Sequence, residues 1–183
     1  TDAVRTLGLD ALPWRESLAQ WRARVRCLRA WMPEFALPDL SDDALLATLD
    51  TWLMPAFVGK TRLDALGEDE LAEALKSGID WATRQRIDAL TPTRIVVPSG
   101  MERAIDYAFD SAANDGSGAP VPPVLAVKLQ ELFGLADTPR IADGRVLLTL
   151  HLLSPAGRPL QVTQDLRSFW ERTYPEVKKE MKG

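Results

Sequence analysis

Cysteine and histidine are almost missing from this sequence: Cys27 and His151 are the single representatives of each in 183 residues. One thiol excludes an intrachain disulfide framework and fits a reducing compartment or simply low cysteine use. One imidazole cannot supply a multi-histidine metal cluster or a serine–histidine relay, which leaves mixed carboxylate sites open. Hydrophobic runs are short, and none approaches the roughly 20 residues of a membrane span. No charged-then-apolar leader opens the chain. Basic residues are not in excess either: 22 Lys and Arg stand against 26 Asp and Glu, a net charge of −4. Any affinity for polyanions must therefore come from a local patch. Position 1 is Thr rather than Met, which suggests a fragment or a processed product.

What is present is a normal core-forming composition, 46% hydrophobic and 26% charged, and a change of pattern halfway along. Trp14, Leu18, Trp21, Val25, Leu28 and Met32 recur at steps of three and four, so Pro13 to Met32 predicts a helix with one apolar face. Ser41 can cap a second helix running to Pro55, with Asp42 and Asp43 in its first turn and Leu45, Leu46, Leu49, Trp52 and Leu53 inward. Thr61 to Gly67 reads as a connector. Glu68 to Lys76 predicts a third helix closed by Gly78, and Asp80 to Leu90 a fourth, with Trp81, Ile87 and Leu90 apolar. After Thr91-Pro92 the period falls to two. Arg94 to Val97, the turn Pro98-Ser99-Gly100 and the alternating run Glu102 to Phe109 read as a β-hairpin. Asp110 to Pro120 is a polar, mobile loop.

Beyond it, Leu125, Leu129 and Leu132 suggest a helix over Val124 to Phe133, capped by Gly134. Thr138 to Ala142 is an edge strand. Arg145 to Leu153 is a single central strand, and Leu160-Gln161-Val162 a short one after the Ser154-Pro155-Ala156-Gly157 turn. Thr163 then caps a last helix with Leu166, Phe169, Trp170, Thr173 and Val177 on one face, kinked or restarted at Pro175. The fold class is α+β: an N-terminal half of about four helices packed with a small, mostly antiparallel sheet flanked by helices. The organisation is one domain over 1–183, helical over 1–90 and α+β over 91–183.

Few residues look like chemistry. Gly59-Lys60-Thr61 imitates the end of a phosphate loop, but Met54 stands where that loop needs its first glycine, and a helix precedes it instead of a strand. His151 lies on a strand among leucines and reads as structural. Cys27, beside arginines that could lower its pKa, reads as a passive core or boundary residue. Asp42-Asp43 and Glu68-Asp69-Glu70 are explained by the helix dipole. Trp14, Trp21, Trp52 and Trp170 fall on apolar helix faces and read as core. The feature left over is a stripe on the first helix, Arg15, Arg22, Arg26 and Arg29. It is either a solvated face laced with salt bridges or a surface for phosphate or an acidic neighbour. Lys178, Lys179 and Lys182 form a second basic cluster that also suits a helix C-terminus.

Several long segments resemble one family. They are Val97-Pro98-Ser99-Gly100, Pro123 to Gly134, Leu152-Leu153-Ser154-Pro155, Arg158 to Leu166 followed by Phe169-Trp170, and the ending Glu176 to Gly183. Together they are similar to the C-terminal region of bacterial HrpB-type DEAH-box ATP-dependent RNA helicases. The resemblance covers essentially the whole chain, more loosely in the helical half. It implies a non-catalytic C-terminal accessory domain that docks on the helicase core of the same parent chain and contacts RNA or a partner. The alternative is a protein-docking module with no nucleic-acid contact. The candidate contact residues are Arg15, Arg22, Arg26 and Arg29 from the stripe, with Arg158, Gln161 and Arg167 from the matched segment. The resemblance also implies that ATP and Mg belong to the parent's core and not to this segment, and that the protein is cytoplasmic. It assigns the segment no catalytic residue and no metal or cofactor site.

Overall fold

A computed structural model of the chain describes residues 8–57 and 67–182. The connector Thr61–Gly67, apart from Gly67 itself, and the Gly59-Lys60-Thr61 sequence lie outside the described residues, as do the side chains of 180–183. The chain divides into two compact units. The first comprises 1–87 and 109–120, the second 88–108 and 121–183.

In the first unit, helix α1 (Glu16–Trp31) buries Leu18, Trp21, Val25, Cys27 and Leu28, the stripe its periodicity marks out. Cys27 is fully buried. The predicted second helix is broken into α2 (Asp42–Ala47) and α3 (Leu49–Trp52). The break falls at Thr48, whose φ is −114°. Thr48 donates its hydroxyl to the Ala44 carbonyl at 2.8 Å, and the Trp52 indole N–H takes the Leu45 carbonyl at 2.9 Å. Such side-chain bonds compete with the helical ladder where it fails. Ser41 caps α2 as expected, its hydroxyl accepting the Ala44 N–H at 3.2 Å.

Helix α4 (Glu68–Lys76) buries Leu71, Ala74 and Leu75. Ser77 and not Gly78 caps it, and Arg84 donates to the Lys76 and Ile79 carbonyls at 2.7 and 2.9 Å. The guanidinium satisfies the last carbonyl of the helix, Lys76, and ties it to the Ile79 carbonyl in the following turn, without a left-handed glycine. Helix α5 (Trp81–Leu90) starts after Asp80, which accepts the Thr83 N–H at 2.7 Å. Of its apolar residues Ile87 is buried, whereas Trp81, at the first helical position, is 73% exposed.

The second unit is built on a five-stranded sheet of order β1-β2-β3-β6-β7. Strands β1 (Arg94–Val96) and β2 (Glu102–Asp110) pair antiparallel, with Ile95 opposite Arg103. Ile105 and Tyr107 point inward as their period of two requires. Val124 to Phe133 is not a helix. It is the second half of β3 (Ala119–Lys128) followed by a 3₁₀ turn, Leu129–Leu132. Pro123, Leu125, Val127 and Leu129 alternate in burial, and β3 pairs in parallel with β6 from Val124 to Lys128. The period of two and the β-branched valines outweigh a helical spacing that rests on three leucines. Pro122 and Pro123 precede the β3–β6 register, which starts at Val124, so no ladder N–H to β6 is lost there.

The expected single strand 145–153 is divided. Val146–Leu147 is β5 and pairs with β4 (Arg140–Ile141) in a separate two-stranded sheet, while Thr149–Leu153 is β6. Leu148, between them, is fully buried and bonds the Pro139 carbonyl at 3.1 Å, which bends the run from one sheet into the other. Strand β7 (Pro159–Thr163) returns antiparallel beside β6, with an irregularity at Leu152/Leu153. Thr163 does not cap the last helix. It accepts the Asp165 N–H in a local turn, and Asp165 is the cap, receiving the Ser168 N–H at 3.0 Å and the Ser168 hydroxyl at 2.8 Å. The helix runs Leu166–Ser168 (α6), widens into a π-helical stretch Phe169–Thr173, and continues as α7 (Tyr174–Lys182). The wide turn ends at Thr173, two residues before Pro175, which has no N–H for the ladder and whose ring crowds the carbonyl four residues back. Leu166, Phe169 and Val177 face inward. Among the described residues no helix is long and apolar enough to cross a membrane.

Candidate functional site

The arginines of α1 share a face because their spacings, seven, four and three, bring each around to the same side. Every one of the four has an acceptor or ring within the first unit. Arg15 meets Glu68 at 3.3 Å, and Ser17 donates to the same carboxylate at 3.1 Å. Arg22 donates to the Leu40 carbonyl at 2.8 Å and to Asp42 at 2.7 Å, with its guanidinium 5.2 Å from the Trp14 ring centre. Arg29 donates to the Leu37 carbonyl at 3.2 Å. Arg26 lies 4.1 Å over the Phe109 ring and reaches the Ser111 hydroxyl at 3.3 Å. Burial, and after it the neighbouring Arg22 charge, press the Arg26 pKa below its ordinary value.

Arg26 and Arg29 line an open cleft of ≈ 320 Å³. Asp39, Asp42 and Asp43 line it too, with hydroxyls from Ser41, Ser111 and Ser117. Burial works to raise the Asp39 carboxyl, but the Ser41 N–H and hydroxyl, with Arg29 and Arg26, hold it below its ordinary value. The cleft is thus a mixed-charge surface, and its carboxylates oppose a phosphate as its guanidiniums attract one. The sequence places Asp42 and Asp43 at a helix start and gives no sign that they would face these arginines. Phe109 and Ser111 come from a hairpin tip some eighty residues away, where no local pattern could announce them. A clue lies in Gly118: with φ +85°, a β-carbon there would stand 2.5 Å from the Phe109 ring, so this tip is built to hold that ring in place.

The other three sequence-derived contact residues lie in the second unit and do not form one cluster. Arg158 is exposed in the β6–β7 turn, where its backbone closes the turn on Ser154 at 2.8 and 3.1 Å. Its guanidinium meets no partner among the described residues. Gln161 is exposed on edge strand β7, opposite Leu152. Arg167 is engaged: it holds Asp137 with two bonds, 2.9 and 3.1 Å, and this pairing lowers the Asp137 pKa. His151 is half-buried on β6 opposite Val162 and Ala126. Among the described residues no group of three or more His, Cys, Asp or Glu could hold a metal ion.

Of the tryptophans, Trp21 and Trp52 are buried, whereas Trp14 and Trp170 are half-buried with their indole N–H groups bonded to the carbonyls of Leu9 and Leu135 at 2.9 and 2.7 Å. The sequence marks Trp170 as core. It borders an aromatic group instead, 5.9 Å from Phe133 and 5.1 Å from Tyr174 between ring centres.

Comparison with known proteins assigns the chain. A family described as ATP-dependent helicase C-terminal (HrpB_C) matches residues 52–183. Over 182 residues the chain is 44% identical to the ATP-dependent RNA helicase HrpB of Escherichia coli strain K12, an alignment that takes in all of this chain and 21% of that protein. The crystal structure of the E. coli DExH-box NTPase HrpB superposes with a TM-score of 0.87 at 44% identity, over 100% of this chain and 21% of that one. A crystal structure of the Escherichia coli DEAH/RHA helicase HrpB gives 0.80 at 42%, over 98% of this chain and 22% of that one. The chain therefore spans about a fifth of the length of the relatives it matches, and it belongs to the ATP-dependent helicase C-terminal family, HrpB_C.

Proposed function

We propose that this chain is an accessory, non-catalytic module of an ATP-dependent RNA helicase. It docks on the helicase core of the same polypeptide in the cytoplasm and leaves ATP and Mg to that core. The observation that carries this reading is the match of the entire chain to one fifth of a helicase. The arginine face supports docking over direct RNA binding in the first unit. Arg15, Arg22, Arg26 and Arg29 are held by Glu68, Asp42, Ser111 and backbone carbonyls, and three aspartates share the cleft. Acidic residues also outnumber basic ones in that unit, whereas the second is close to balanced.

Contact with RNA is the second reading, and one observation favours it: the exposed guanidinium of Arg158, beside Gln161 on an edge strand. Fluorescence anisotropy with labelled single-stranded and duplex RNA tests both. At about 50 mM salt, Arg158→Ala weakens any RNA binding and shallows its salt dependence by about one phosphate contact. Arg22→Ala lowers stability and leaves RNA affinity unchanged. A loss of RNA binding in Arg26→Ala and Arg29→Ala, with Arg158→Ala silent, overturns this assignment of the two faces.

A further inference from the structure

We infer that an open apolar hollow in the second unit, bordered by Phe133, Leu135, Trp170 and Tyr174, is the seat of an apolar side chain from the helicase portion of the same polypeptide; this rests on the docking reading above. The hollow measures ≈ 450 Å³, and no charged residue lines it. Phe133 is 49% exposed, which for a large ring is surface that water covers poorly. The rings are fixed by one another: Trp170 meets Tyr174 edge-on at 84°, and Phe133 meets Tyr174 at 68°. They are also fixed by the backbone. The π-helical stretch Phe169–Thr173, with the Tyr174 N–H bonded to the Phe169 carbonyl, sets Trp170 and Tyr174 beside Phe133. π-helical turns are less stable than α and occur frequently where a site needs the altered geometry.

The chemistry narrows the occupant. A nucleobase needs a free ring face and a nearby cation for its phosphate, but these rings spend contacts on one another and the lining holds no cation. A proline-rich peptide needs several outward donors for its carbonyls; the Trp170 indole N–H is already given to Leu135 at 2.7 Å, which leaves the Tyr174 hydroxyl as the one side-chain donor of the lining. An aliphatic or aromatic side chain asks only for burial. Six lining residues are far fewer than the roughly 20–30 a side of a stable interface between separate molecules. They suffice for a tethered segment, whose effective concentration reaches the millimolar range. The relatives carry nearly four-fifths of their length outside the region this chain matches, which supplies such a segment.

Hydrogen exchange on this chain and on the intact helicase polypeptide decides the matter. Amides of 134–136 and 170–174 should exchange at least about tenfold more slowly in the intact protein, a change of about 1.4 kcal/mol. Phe133→Ser, at an exposed position, should abolish that difference while leaving the isolated chain's melting temperature close to the wild type. Protection elsewhere in the chain with none at the hollow sinks this inference and leaves docking standing. No protection anywhere sinks both. Protection that requires added single-stranded RNA, or that grows with the concentration of the isolated chain, assigns the hollow to RNA or to a second copy and overturns the inference.

Discussion

Nothing in the sequence pairs Arg103 with Glu131, yet they form a two-point ion pair, 2.5 and 3.1 Å, that ties β2 to the 3₁₀ turn after β3. The hydrogen bonds from Arg103 outweigh the opposing effect of burial and hold the Glu131 carboxyl below its ordinary value of 4.5. A carboxylate whose pKa is lower folded than unfolded adds stability above the unfolded value and loses it as pH falls through the folded one. The urea-midpoint gap between wild type and Glu131→Gln should therefore be full above about pH 4.5 and close below it; a gap that stays constant from neutrality to pH 3 contradicts the pairing. Gly118 is a second case. Alanine there is strained at φ +85° and strikes the Phe109 ring, which in turn carries Arg26. Gly118→Ala should destabilise by more than about 1 kcal/mol in urea titration. Neither role could be read from adjacent residues, because Glu131 meets Arg103 on β2, 28 residues away, and the Phe109 ring meets Arg26 on α1.

Among the elements, local signals were legible wherever the local energy decided. Ser41 caps α2 and Asp80 caps α5 as capping chemistry requires, and the α1 stripe is buried where its period puts it. Ser41→Ala should cost about 1 kcal/mol, measured by thermal or urea unfolding. Asp165→Ala should lower the melting temperature and Thr163→Ala should disturb the preceding turn, with Asp165→Asn retaining most of the cap; a silent Asp165→Ala would return the cap to Thr163. Sequence and structure part where two periods compete. Leu125, Leu129 and Leu132 fit a helix, but Val124 to Lys128 is captured by the parallel ladder with β6. The single strand 145–153 is divided because Pro139 and Leu148 pair across a turn that only the folded chain brings together.

For the molecule as a whole, the proposed function leaves ATP to the parent's core, and Met54 stands where a phosphate loop needs its first glycine. Millimolar ATP with Mg should leave the melting temperature of this chain unmoved. Binding even at a hundredfold excess over Kd would add about 2.7 kcal/mol and be plain in calorimetry. Leu150→Ala, in the fully buried face of β6, should cost about 2–5 kcal/mol by the same method, a check on where the second unit keeps its core.

The order of letters by itself determined the class of fold, the α1 stripe, most helix limits in the first half, the β1–β2 hairpin and, through long matched segments, the family. These follow from periodicity and capping, which act over a few residues. Only the tertiary structure decided that β3 is a strand, that the α1 arginines face aspartates, and that Phe133, Trp170 and Tyr174 gather around one hollow. Those outcomes depend on contacts between segments far apart in the chain, whose energies no short window of sequence contains.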